Sequence, residues 1–151
     1  MVSKTNTITY ENFSQAMQAI IRQEDIANAR RALYKFLPEQ RLYLAAHTLP
    51  ANKISTEAQT LDELAKLSLF CAQGADNSTA LLSYTDTQTL TAQCKDSFIV
   101  ELSGADALNL VLMQHKFAAL VVKSAQGWVG ITKTDIRLLV KGYRMDNYPS
   151  Q

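Results

Sequence analysis

Apolar residues change period several times along the chain, and each change marks an element. Phe13, Ala16, Met17, Ile20 and Ile21 recur at the spacing of one helical face, and Ile26, Ala29, Leu33, Phe36 and Leu37 do so again. At about 100° per residue the two sets point in nearly opposite directions, so one straight helix would present them on opposite sides. The pattern predicts two helices broken near Gln23-Glu24-Asp25, with Asp25 capping the second and Pro38 ending it.

Arg41–Ala46 then reads as a strand. His47 to Thr60 is polar, contains Pro50 and reads as a loop, long enough in a small domain to suggest mobility or function. Thr60 and Glu63 form a capping box for a helical turn over Leu61–Lys66. Leu67–Ala72 and Thr79–Tyr84 read as a hairpin around the turn residues Gly74 to Ser78. Thr85 with Gln88 is placed to cap the next helix, which carries Leu90 and Cys94.

In the second half, Ser97–Leu102 is a strand. Ala105, Leu108, Val111, Leu112 and His115 follow at helical spacing, with Ser103 as cap and Asp106 three residues on. Phe117–Val122 is six apolar residues without alternation, the pattern of a central strand covered on both faces. Strand, helix and strand on short connectors predict a parallel, adjacent pair with a right-handed crossover. Ser124 to Gly127 is a turn, Trp128–Ile131 returns antiparallel, and Thr132 with Asp135 starts a last helix bearing Ile136, Leu139, Val140 and Tyr143. The expected fold is α/β (α+β): a mixed sheet of about five to six strands with helices packed on it and an N-terminal helical pair.

Composition adds bounds. A chain of 151 residues suggests one domain, spanning 1–151, with 1–9 and 144–151 as flexible ends. At that length roughly 70% of the unfolded surface is buried, enough for a core without staples. A net charge of +1 gives no global pull towards nucleic acid or anionic lipid. No apolar run reaches the roughly 18 residues of a membrane span. The first residues lack the apolar core of a signal peptide, so the expected location is the cytoplasm. Cys71 and Cys94, in apolar surroundings without metal-ligand spacing, read as two buried free thiols of a reducing compartment.

Candidate chemistry is sparse. His47 and His115 stand apart from any second ligand, and His115 reads as a structural residue near its helix end. No Gly-x-Ser-x-Gly occurs, and the five glycines make no phosphate-cradling loop. The carboxylates are scattered, and several serve as caps. Arg30, Arg31 and Lys35 read as a solvated basic edge. No catalytic, cofactor-binding or metal-binding residue is assigned, and a non-enzymatic protein without cofactor is expected. Tyr84 and Trp128 are the candidates for contact with another protein, being strand-end residues of types enriched at interface hot spots. Burial of both rings in the core is the competing reading.

Three segments carry a resemblance: Leu33 to Ala46 (LYKFLPEQRLYLAA), Thr79 to Leu90 (TALLSYTDTQTL) and Phe117 to Ile136 (FAALVVKSAQGWVGITKTDI). Their order is similar to the N-terminal domain of SseB, a family named for enhanced serine sensitivity, over roughly Ile20 to Leu139. Tyr84-Thr85-Asp86 fills the aromatic-Thr turn of that pattern, while Val122-Lys123 stands near the place of a common Asn-Pro step. The resemblance implies a bacterial α/β domain for binding or regulation, with no catalytic residue to carry over. The leading expectation is a protein partner, with no nucleic acid and no membrane, in a role accessory to a secretion or toxin system. An immunity or chaperone-like partner of a secreted protein is one alternative. A small-molecule sensor or enzyme using the 47–60 loop as a lid is the other, and it predicts a pocket beneath that loop.

Overall fold

The computed structural model describes residues 10–47, 64–74 and 76–141. In chain order these form α1 (Phe13–Ile21), α2 (Ile26–Phe36), a 3-10 turn (Leu37–Glu39), β1 (Arg41–Ala46), β2 (Cys71–Gln73) and β3 (Thr79–Tyr84). There follow α3 (Thr87–Gln93), β4 (Phe98–Ser103), α4 (Gly104–Met113), β5 (Phe117–Ser124), β6 (Gly127–Thr132) and α5 (Lys133–Val140). The fold is α+β, with a mixed six-stranded sheet and the N-terminal helical pair in place. Among the described residues, no helix is long and apolar enough to cross a membrane. The 1–9 and 144–151 ends, the 48–60 part of the loop, the Thr60–Glu63 cap and Tyr143 lie outside the described residues.

The break between α1 and α2 is a Schellman ending. Glu24 N–H donates to the Ala19 carbonyl at 2.8 Å and Gln23 N–H to the Ile20 carbonyl at 3.0 Å, with Gln23 left-handed at φ 61°. Asp25 stands at the N-cap position of α2, but its φ of 48° turns the carboxylate away from the helix amides. It accepts instead from the Tyr10 hydroxyl and the Asn28 side chain, both at 3.1 Å, so the expected cap is absent. The predicted faces bury in part: Phe13, Ala16 and Met17 on α1 and Ala29 and Leu33 on α2 are buried, Ile20, Ile21 and Phe36 are half-buried, and Ile26, in the first turn of α2, is exposed.

The sheet runs β4-β1-β3-β5-β6, with β2 paired to the first half of β3. The β3–β5 pair is parallel and the others are antiparallel. The predicted adjacency of Ser97–Leu102 and Phe117–Val122 is therefore wrong. β4 takes the edge beside β1, and two strands separate it from β5. The strand-helix-strand pattern reports direction, which is indeed shared, and leaves adjacency open.

The expectation that both faces of Phe117–Val122 are covered also needs correction. The β3–β5 register shifts between Thr79 and Ala80, which pair with Phe117 and Ala119 and leave Ala118 as an extra, exposed residue. A bulge of this kind reverses the facing of everything beyond it. It puts Phe117 on the same buried side as Leu120 and Val122, although the spacing is odd. The unbroken apolar run thus encodes a bulge, and Ala119 and Val121 on the other face are only half-buried.

One face of the sheet carries most of the core. Leu42, Leu44, Leu81, Leu120, Val122, Val129 and Ile131 meet Met17, Leu33, Leu37, Leu108, Val111 and Ile136 from the helices. The opposite face has a smaller cluster, where Leu90 and Cys94 cover Ala45, Leu82 and Tyr84. The hydroxyls of Ser103 and Thr132 accept from the amides of Asp106 (3.1 Å) and Asp135 (3.3 Å), as expected of caps. At α3 the cap is Asp86, not Thr85: its carboxylate accepts from Thr89 N–H at 2.6 Å. Thr85 instead binds the Lys123 carbonyl across the parallel pair through its amide, at 3.0 Å.

Three further expectations change. His115 is not on a helical stripe, because α4 ends at Met113 and Gln114 is extended, leaving His115 exposed in a turn. Arg30 is not merely solvated. Its guanidinium donates to the Tyr34 hydroxyl (2.9 Å) and to the Gly130 carbonyl (3.2 Å), and Tyr34 donates to Asp135 (2.8 Å). That chain ties α2 to β6 and α5, and burial pushes the Tyr34 phenol up despite the nearby guanidinium. Finally, Cys94 is buried but Cys71 is exposed on the short β2. A thiol reagent added to the native protein is expected to modify one cysteine quickly, Cys71, and the second only in denaturant. Rapid modification of both would contradict the packing of Cys94. Partial burial raises the Cys71 thiol, with Lys116 opposing, so its labelling should accelerate at alkaline pH.

Candidate binding surfaces

Two features stand outside the structural ledger of caps and core: an exposed ring on β6 and a cleft at one end of the sheet. In β6, Val129 and Ile131 point into the core, so alternation puts Trp128, Gly130 and Thr132 on the opposite face. No helix of the described residues covers Trp128, which is 60% exposed, the most open of the large apolar side chains described. It stands opposite Lys123 on β5, and its ring lies beside Gly130, where an added methyl would meet it at 3.5 Å. Inward from it the same face presents half-buried Val121, Ala119 and Ala80 across β5 and β3. β6 is also an edge strand in this order, and Arg30 occupies one of its carbonyls, that of Gly130.

Tyr84 is placed differently. It is 1% exposed, and its hydroxyl donates to Gln93 at 3.0 Å and lies 3.4 Å from the Cys94 sulfur. Burial raises its phenol well above the ordinary range. α3 lands on this ring, so Tyr84 belongs to the core and is not available to a partner. Trp128 is the reverse: the core reading fails for it. His47, at the opposite end of β1, is exposed and stacks on Phe70 at 4.0 Å.

The cleft was not visible in the sequence. It has a volume of about 220 Å³ and is walled by Phe13, Ser14, Met17 and Gln18 of α1, Gln40 before β1, Thr85 after β3, and Ser124 and Gln126 at the β5–β6 turn. These four segments meet because β3 and β5 end together and β1, antiparallel to β3, begins there. The site lies at the carboxyl ends of the parallel strands, where open α/β sheets place their ligands. The expected pocket beneath the 47–60 loop falls on residues that, His47 apart, lie outside the described ones; His47 itself follows the other end of β1. No short motif joins these residues; the only hint is that Thr85 follows the end of one strand and Ser124 ends another. Among the described residues no group of three or more His, Cys, Asp or Glu side chains could hold a metal ion. No protein-family model, curated protein or solved structure matches this chain.

Proposed function

We propose that the chain is a non-catalytic protein-binding or regulatory domain, similar to SseB, whose contact with its partner centres on Trp128. The observation that supports the reading is the exposure of that ring, 60%, on an edge strand whose alternate residues Val129 and Ile131 are buried in the core. Tryptophan is enriched at interface hot spots, and an edge strand offers backbone groups for strand addition. The partner is another protein, in a bacterial cytoplasmic role accessory to a secretion or toxin system, or a secreted protein held by an immunity-like or chaperone-like companion.

The test replaces Trp128 by threonine, which keeps strand propensity. Proteins captured from the native extract by wild type are identified, and the main one is purified and titrated against both forms. Loss of at least about 2 kcal/mol of affinity, as for a hot spot, with melting nearly unchanged, is the expected result. Undiminished affinity, or a large loss of stability, would remove Trp128 from the interface.

A further inference from the structure

We infer that the cleft between α1 and the carboxyl ends of β3 and β5 is a binding site for a small uncharged molecule bearing amide or hydroxyl groups. The polar part of the lining is chemically uniform. Gln18, Gln40 and Gln126 contribute carboxamides, Ser14, Thr85 and Ser124 contribute hydroxyls, and no charged side chain takes part. Every one of these groups both donates and accepts, so the site matches ligand groups that do the same. A carboxylate or phosphate entering it would lose hydration and find no opposite charge, which is unfavourable.

The glutamines and Ser14 keep open hydrogen-bonding capacity, whereas the Thr85 hydroxyl already donates to the Lys123 carbonyl at 3.4 Å, and the Ser124 hydroxyl lies 3.4 Å from the Gly127 carbonyl and accepts from Gln126 N–H at 3.2 Å. Ser14 and Gln18 make no side-chain hydrogen bond among the described residues. Gln40 uses its amide nitrogen on the Arg41 carbonyl at 3.0 Å, leaving its oxygen open. Gln126 has its oxygen near the Ser124 hydroxyl at 3.3 Å, leaving its nitrogen open. Phe13 and Met17 supply an apolar wall for the ligand's carbon skeleton. The volume corresponds to roughly seven waters at about 30 Å³ each, the size of a monosaccharide or an acylated amino-acid amide. The site is separate from Trp128, whose side chain faces the other side of the sheet.

The experiment is a titration of the isotopically labelled full chain, followed by amide NMR shifts, with four probes: N-acetylglycinamide, glucose, acetate and inorganic phosphate. The inference expects saturable shifts at Ser14, Gln18, Thr85, Ser124 and Gln126 with at least one neutral probe, and none with the anions. Which neutral probe binds tells an amide ligand from a sugar-like one. Gln18→Leu and Gln126→Leu should each weaken that binding about five- to tenfold with melting unchanged. Trp128→Thr should leave it intact, so failure here and failure of the protein-binding reading remain distinguishable. Stronger saturation by an anion, no saturable shift with either neutral probe, or full affinity in both leucine variants would overturn the inference.

Discussion

Gly104→Ala is expected to destabilise the protein by about 3 kcal/mol or more, the upper end for overpacking. Helix propensity alone predicts the opposite sign, because alanine in a helix is favoured over glycine by about 1 kcal/mol. The collision decides it. A methyl group on Gly104 would run into the carbonyl oxygen of Leu37, with the Leu37 side chain 3.1 Å away. Neither backbone is free to retreat. Gly104 N–H donates to the Gln40 carbonyl at 2.7 Å, and the same Leu37 carbonyl accepts from Gln40 N–H at 3.0 Å. Gly104 therefore marks the closest approach of α4 to the 3-10 turn that follows α2. Urea unfolding of the variant is the check; a loss below about 1 kcal/mol, or a gain, would mean that the turn yields easily.

Leu120→Ala is expected to lose about 2 to 5 kcal/mol, the range for large-to-small changes in a core that relaxes only partly. Leu120 has no exposed surface, and it sits in register between Leu81 on β3 and Ile131 on β6, both also fully buried. Its face of the sheet lies under the helices, so deletion of the isobutyl group leaves a cavity with few neighbours able to fill it. Val121→Ala, one residue along on the opposite, half-covered face, should lose clearly less. Chemical denaturation that ranks the two the other way would mean that the facing set by the Ala118 bulge is wrong.

Local patterns in this sequence carry local structure well. The two N-terminal helices, the Ser103 and Thr132 caps, the Arg41–Ala46 strand and the β5–β6 hairpin all follow from spacing and side-chain chemistry within about ten residues. The failures in strand order and facing are non-local, while those at Asp25, Thr85 and His115 are local matters of capping geometry. Strand order depends on which edges meet in space, so β4 beside β1 leaves no trace in the Ser97–Val122 pattern. The apolar run Phe117–Val122 reads as doubly buried because a bulge and a second buried face produce the same string. His115 falls off its helix because the capping geometry at Gln114, extended at ψ 127°, outranks periodicity.

The candidate surfaces divide along the same line. The outward facing of Trp128 is implied by the alternation of Val129 and Ile131, which requires the residues between them to point away. The burial of Tyr84 is not, since it depends on where α3 and Cys94 come to rest. The cleft gathers Gln18, Gln40, Thr85 and Ser124 from segments up to about a hundred residues apart, each of an ordinary polar type, and no spacing rule joins them.

The central claim, that Trp128 stands open on its strand as a docking residue, has a direct optical test, because it is the single tryptophan of the chain. Its fluorescence can be recorded in the free protein and at saturation with the purified partner, each with and without iodide. In the free protein the account predicts emission at the wavelength of hydrated indole and strong quenching by iodide. With partner bound it predicts a shift to shorter wavelength and protection from iodide. Emission typical of a buried indole in the free protein, or unchanged quenching in the saturated complex, would contradict it.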